Sequence, residues 1–60
     1  MPTWKSAVQK MTIGKTVVDM EDTFEYLEKR FSHCPTRPEL RRFFYDLKFI
    51  PDRGTKYRRV

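Results

Sequence analysis

Two apolar stripes at helical spacing, joined by a short proline-marked turn, constrain this chain more than anything else in it. Met20, Phe24, Leu27 and Phe31 recur at i, i+4, i+7 and i+11, and Leu40, Phe43, Phe44 and Leu47 form a second face. Each stripe belongs on one side of an amphipathic helix. With so short a connection, the two faces are expected to pack directly on each other. Asp19 is a good N-cap for the first of these helices, Glu21 and Asp22 suit its first turn, and Lys29 and Arg30 suit its last. Thr36 and Glu39 stand at capping-box spacing for the second, and Pro38 is tolerated in a first turn because its missing N–H would have no partner there. The apolar face of that helix is expected to continue through Phe49 or Ile50 until Pro51 stops it.

Four punctuation points divide the rest: Pro2, Gly14, the Pro35–Pro38 pair, and Pro51 to Gly54. Before Gly14, Thr3 is positioned to cap a helix with Trp4, Ala7, Val8 and Met11 on one face. Gly14-Lys15 also suits a two-residue hairpin loop between Met11-Thr12-Ile13 and Thr16-Val17-Val18. The i, i+3, i+4, i+7 spacing favours the helix, with Thr16-Val17-Val18 then a short strand. After Pro51, Asp52-Arg53-Gly54 supplies turn chemistry, and Thr55 to Val60 has strand-like composition. The expectation is a small, mostly helical α+β domain over residues 1–60: helix, short strand, helix, helix and a C-terminal β-hairpin.

That size leaves little margin. A chain of 60 residues buries only about 60% of its unfolded surface, so a few large aromatic side chains must do much of the filling. Cys34 is the only cysteine, which excludes an internal disulfide and fits a reducing, cytoplasmic setting better than secretion. No apolar run approaches the roughly 20 residues of a membrane span.

Charge is laid out unevenly along the chain. Residues 1–18 carry Lys5, Lys10 and Lys15 with no acid, a net of +3; residues 19–32 sum to −3; residues 33–60 sum to +5. Two basic features stand in the last segment. Arg37, Arg41, Tyr45 and Lys48 are spaced four, four and three apart on the face opposite the second apolar stripe. Arg53, Lys56, Arg58 and Arg59 lie in the hairpin, with Gly54 at its tip. Such side chains contact phosphates, and arginine also reads guanine edges. Against this stands the plain solvated face that every amphipathic helix needs, and the habit of edge strands to stay soluble through lysine and arginine.

The element order resembles a winged helix-turn-helix, a fold whose third helix and following hairpin commonly engage DNA. The resemblance spans the whole chain and rests on element order. It implies nucleic-acid binding, most of all to double-stranded DNA, in a regulatory role. Lys48, Arg53, Lys56, Arg58 and Arg59 would then face phosphates, with Arg37, Arg41 and Tyr45 nearest the base edges. Dimerisation would fit, because one domain of this size makes few contacts. The rival expectation is a small protein-interaction module or inhibitor docking on an acidic protein surface, with Trp4, Tyr45 or Tyr57 as anchors.

Catalytic, metal and cofactor chemistry find no support in the residues. His33-Cys34 offers one His and one Cys where a structural zinc needs four ligands, and adjacent residues rarely form a nucleophile and its base. Gly14-Lys15-Thr16 mimics the end of a phosphate-binding loop, but Gln9 stands where the first glycine belongs. The acids Glu21, Asp22, Glu25 and Glu28 read as a solvated helix face with an (i, i+4) Glu25–Lys29 pair.

Overall fold

The computed structural model describes residues 3–60; Pro2, named above as a punctuation point, lies outside them. The elements run α1 (Trp4–Thr12), β1 (Val17–Asp19), α2 (Met20–Arg30), α3 (Arg37–Asp46), β2 (Phe49–Pro51) and β3 (Lys56–Arg59). The helices hold 9, 11 and 10 residues, half of the chain, and the strands form one antiparallel sheet in the order β1-β3-β2.

Local chemistry sets each boundary. The Thr3 hydroxyl accepts the Ser6 N–H and opens α1, and Gly14, at φ +75°, turns the chain out of it. The first segment is therefore helix followed by strand. Asp19 ends β1 and caps α2 at once: its carboxylate accepts the N–H groups of Glu21 and Asp22. At the far end of α2, the Cys34 thiol donates to the carbonyls of Phe31 and Leu27, at 3.2 and 3.6 Å. Cys34 thus satisfies the Phe31 carbonyl just past the helix end and adds a second donor to the Leu27 carbonyl, which already accepts the Phe31 N–H. Thr36 and Glu39 form the full capping box at the start of α3.

α3 is shorter than its apolar pattern suggests. It stops at Asp46, and Lys48 takes a left-handed conformation at φ +73° that turns the chain into β2. Phe49 and Ile50 are strand residues, not a continuation of the helix, and Lys48 leaves the face it was expected to share with Arg37, Arg41 and Tyr45. The apolar run outlasts the helix because Phe49 enters the same core from the sheet.

That core joins Val8 of α1, Met20 and Leu27 of α2, Leu40 and Phe44 of α3, and Phe49 and Tyr57 of the sheet. Phe44 sits between the last two, with ring centroids 5.9 Å from Phe49 and 5.1 Å from Tyr57. The two helical stripes do meet through Met20, Leu27, Leu40 and Phe44, but Phe24, Phe31, Phe43 and Leu47 are half-buried at the margin, and Phe49 and Tyr57 of the sheet complete the centre. Trp4 belongs to this margin too, edge-on to Phe43 at 5.5 Å and 79°.

Candidate nucleic-acid interface

The eight basic and aromatic positions singled out from the sequence fall into two groups. Arg41, Tyr45, Lys48, Arg53, Lys56 and Arg58 are exposed. Arg37, though also exposed, and the half-buried Arg59 are engaged by other groups of the fold.

Arg37 forms a two-pronged pair with Glu21: Nε donates to Oε2 and an Nη to Oε1, both at 3.0 Å. Its guanidinium carbon lies 4.4 Å from the centre of the Phe24 ring. The pair bridges the first turns of α2 and α3. Hydrogen bonding from Arg37 is the main cause holding the Glu21 carboxyl below its ordinary range, and the same contact raises Arg37.

Arg59 reaches across the fold. An Nη donates to the Thr12 carbonyl at 2.9 Å, and the guanidinium stacks on Phe49 at 4.6 Å. It therefore ties the end of α1 to the sheet. Its Nε is buried without a partner among the described residues. Strand geometry explains the placement: Tyr57 and Arg59 lie two residues apart and share a face, and Tyr57 is buried. Lys56 and Arg58 share the opposite, exposed face.

The exposed group is carried by three adjoining elements. On α3, Leu40 and Phe44 face the core, which turns Arg41, Arg42 and Tyr45 outward; Tyr45 keeps 45% of its surface. Lys48 follows in the turn into β2, and Arg53 stands in the hairpin turn. The tip is anchored. The Thr55 hydroxyl donates to both Asp19 oxygens at 3.0 and 3.1 Å, the Thr55 carbonyl accepts the Met20 N–H, and the Lys56 N–H donates to the Arg53 carbonyl. Hence α2's first turn holds the hairpin tip through Asp19 and the start of α3 through Glu21. For the Asp19 carboxyl, desolvation alone would act upward, but the Asp22 N–H, the Thr55 hydroxyl, the Glu21 N–H and nearby Lys56 outweigh it, and the net shift is downward.

Arg37–Glu21 is the only ion pair within 4 Å among the described residues. The Glu25–Lys29 pair expected on α2 is not formed, and Arg30 lies over the Tyr26 ring at 4.6 Å. An open cleft between α1 and α3 mixes Lys5 and Arg42 with Glu39 and Asp46, so it does not extend the basic surface. No helix of the described residues is long and apolar enough to cross a membrane, and no group of three or more His, Cys, Asp or Glu there could hold a metal.

No protein-family model, no curated protein and no solved structure matches this chain.

Proposed function

We propose that this chain is a winged-helix-like nucleic-acid-binding domain, acting on double-stranded DNA through the outer face of α3 and the C-terminal hairpin. One observation carries the reading. Arg41, Lys48, Arg53, Lys56 and Arg58 are exposed, follow one another along α3, the turn into β2 and the hairpin, and have no acidic partner within ion-pairing distance among the described residues. Unpaired cations concentrated on one run of structure create an attractive field for a polyanion. The helix–helix–hairpin order with a β1-β3-β2 sheet supports the same reading.

Roles divide by position. Arg41 and Tyr45 project from a convex helix of a size that a major groove admits, so they are the groups assigned to base edges. Lys48, Arg53, Lys56 and Arg58 are assigned to phosphates, whose contacts position the protein without reading sequence. Arg37 and Arg59 are positioning residues: one holds α3 to α2, the other holds α1 to the sheet.

The test is an alanine series against duplexes of several sequences. Removing Lys56 and Arg58 should weaken every duplex alike, and removing Arg41 or Tyr45 should change the order of preference among them. Binding that survives neutralisation of Arg41, Lys48, Arg53, Lys56 and Arg58 together would end this reading. Retained binding of an acidic protein, dominated by Tyr45, would then favour the protein-interaction module.

A further inference from the structure

The sheet has two free edges, and the backbone treats them differently. On β1, the Thr16 carbonyl accepts the Arg59 N–H at 2.8 Å and the Met20 N–H donates to Thr55 at 2.9 Å. The even-numbered positions therefore face β3, and alternation turns the N–H and C=O of Val17 and Asp19 toward the open edge. On β2, Lys48 and Asp52 make the corresponding bonds to Val60 and Lys56, so the backbone groups of Phe49 and Pro51 point to the open edge. Pro51 has no N–H to offer, a common way for a protein to close an edge. The β1 edge carries no such block.

What remains open on β1 is narrow and self-complementary. The Lys15 N–H is spent on the Thr12 carbonyl at 3.1 Å, and the Asp19 carbonyl accepts the Thr23 hydroxyl at 2.8 Å. Val17 is thus the edge position with both backbone groups free, and the residue keeps 48% of its surface. An antiparallel pair centred on Val17 brings Lys15 opposite Asp19 of a second copy, and Asp19 opposite its Lys15. The Asp19 carboxylate, already engaged by the Glu21 and Asp22 N–H groups and the Thr55 hydroxyl, keeps its negative charge, so a cation and an anion stand at opposed positions twice. The free Asp19 N–H and the free Lys15 carbonyl also meet in that register.

We infer that this chain forms a two-fold homodimer by antiparallel pairing of β1 with β1 of a second copy, in the register that pairs Val17 with itself. The occupant of the edge is the same chain, because the open groups and the charges match themselves under a two-fold axis. That axis stands perpendicular to the sheet, so the outer faces of both copies lie on one side. The row Ile50–Arg58–Val17 of one copy then continues into the same row of the other. Lys56 and Arg58 are thereby doubled on one continuous six-stranded face.

The contact is small, below the roughly 1,200 Å² of a standard interface, and so belongs to the weak, reversible class. The test is sedimentation equilibrium of the full chain without nucleic acid, over about 10 µM to 1 mM. It needs three synthetic proteins: the parent, one N-methylated at Val17, and Val17→Lys. N-methylation replaces the outward-facing donor with a methyl group at the pairing edge, and Val17→Lys sets two cations about 5.5 Å apart across the axis. Circular dichroism first establishes that each is folded.

The parent should pass reversibly from 7.3 kDa toward twice that mass, and both variants should associate at least about tenfold more weakly. A mixed-label sample of the parent should show contacts from the Val17 amide of one copy to Val17 of the other. A parent that stays monomeric at 1 mM overturns the inference. So does dimerisation that both folded variants retain undiminished, since the interface would then lie elsewhere. Either failure leaves the nucleic-acid reading standing, because no nucleic acid enters the measurement.

Discussion

Two adjacent arginines, Arg58 and Arg59, should respond to alanine substitution very unequally. Arg59 donates a charge-assisted hydrogen bond to the Thr12 carbonyl and stacks on Phe49. A hydrogen bond from a charged group contributes about 1.5–3 kcal/mol, and a cation–π contact at a partly exposed site about 0.5–1 kcal/mol. The buried, unpartnered Nε offsets part of that gain, because a polar group left unsatisfied costs about 1 kcal/mol or more. Thr12 is not orphaned by the change, since its carbonyl also accepts the Lys15 N–H. The net loss for Arg59→Ala is then about 2 kcal/mol. For a chain of this length that lowers Tm by roughly 8–16 °C. Arg58 stands on the exposed face between Val17 and Ile50, and its replacement should stay within about 0.5 kcal/mol. Urea titrations of the parent and both variants, fitted with a common slope, measure the difference directly. Arg59→Lys should fall between, keeping the charge but losing the planar stack. Equal stability of the two alanine variants would refute the assignment of Arg59 to the fold.

Phe44→Ala should cost about 3–5 kcal/mol, comparable to the whole stability of so small a domain, and leave no cooperative melt near the parent temperature. Lys48→Gly should stabilise the fold by about 0.5–1 kcal/mol, because φ +73° strains a residue with a Cβ; a lower Tm would show that the lysine side chain holds the turn instead. Stability should fall on acidification. The carboxyls of Asp19, Glu21 and Glu39 all lie below their ordinary values in the fold, Glu39 chiefly through the Thr36 N–H. The unfolded chain then binds more protons than the folded one, so this contribution is present above about pH 4–5 and is lost as pH falls through the depressed values. Chemical denaturation between pH 7 and pH 2 reads it, and Glu21→Gln should flatten the acid limb.

Helices and caps were legible because their signals are local. Asp19 before Glu21 and Asp22, and Thr36 three residues before Glu39, announce helix starts from side-chain chemistry within one turn. The end of α3 was not legible. Phe49 and Ile50 extend the apolar pattern of Phe43, Phe44 and Leu47, and nothing local says that Lys48 turns left-handed between them. The division of the basic residues was half legible. The two-residue strand period already implies that Arg59 turns inward wherever Tyr57 does. The pairing of Arg37 with Glu21 spans 16 positions, and the link of Thr55 to Asp19 spans 36, so only the folded chain reveals them. The exposure of Arg41, Tyr45, Arg53, Lys56 and Arg58 follows from composition and spacing, whereas Lys48 is exposed in a turn that its helical spacing did not announce.

The most direct test of the central claim is the salt dependence of binding to a generic duplex, followed by fluorescence anisotropy at fixed protein concentration and pH. Four or five exposed cations in contact with phosphates release that many counterions, which gives a slope of about −3.6 to −4.5 in log K against log salt for one bound copy. Replacing both Lys56 and Arg58 with alanine should reduce the slope by about one to two while the thermal transition stays in place. Affinity that is absent at low salt, or that ignores salt altogether, would contradict the claim.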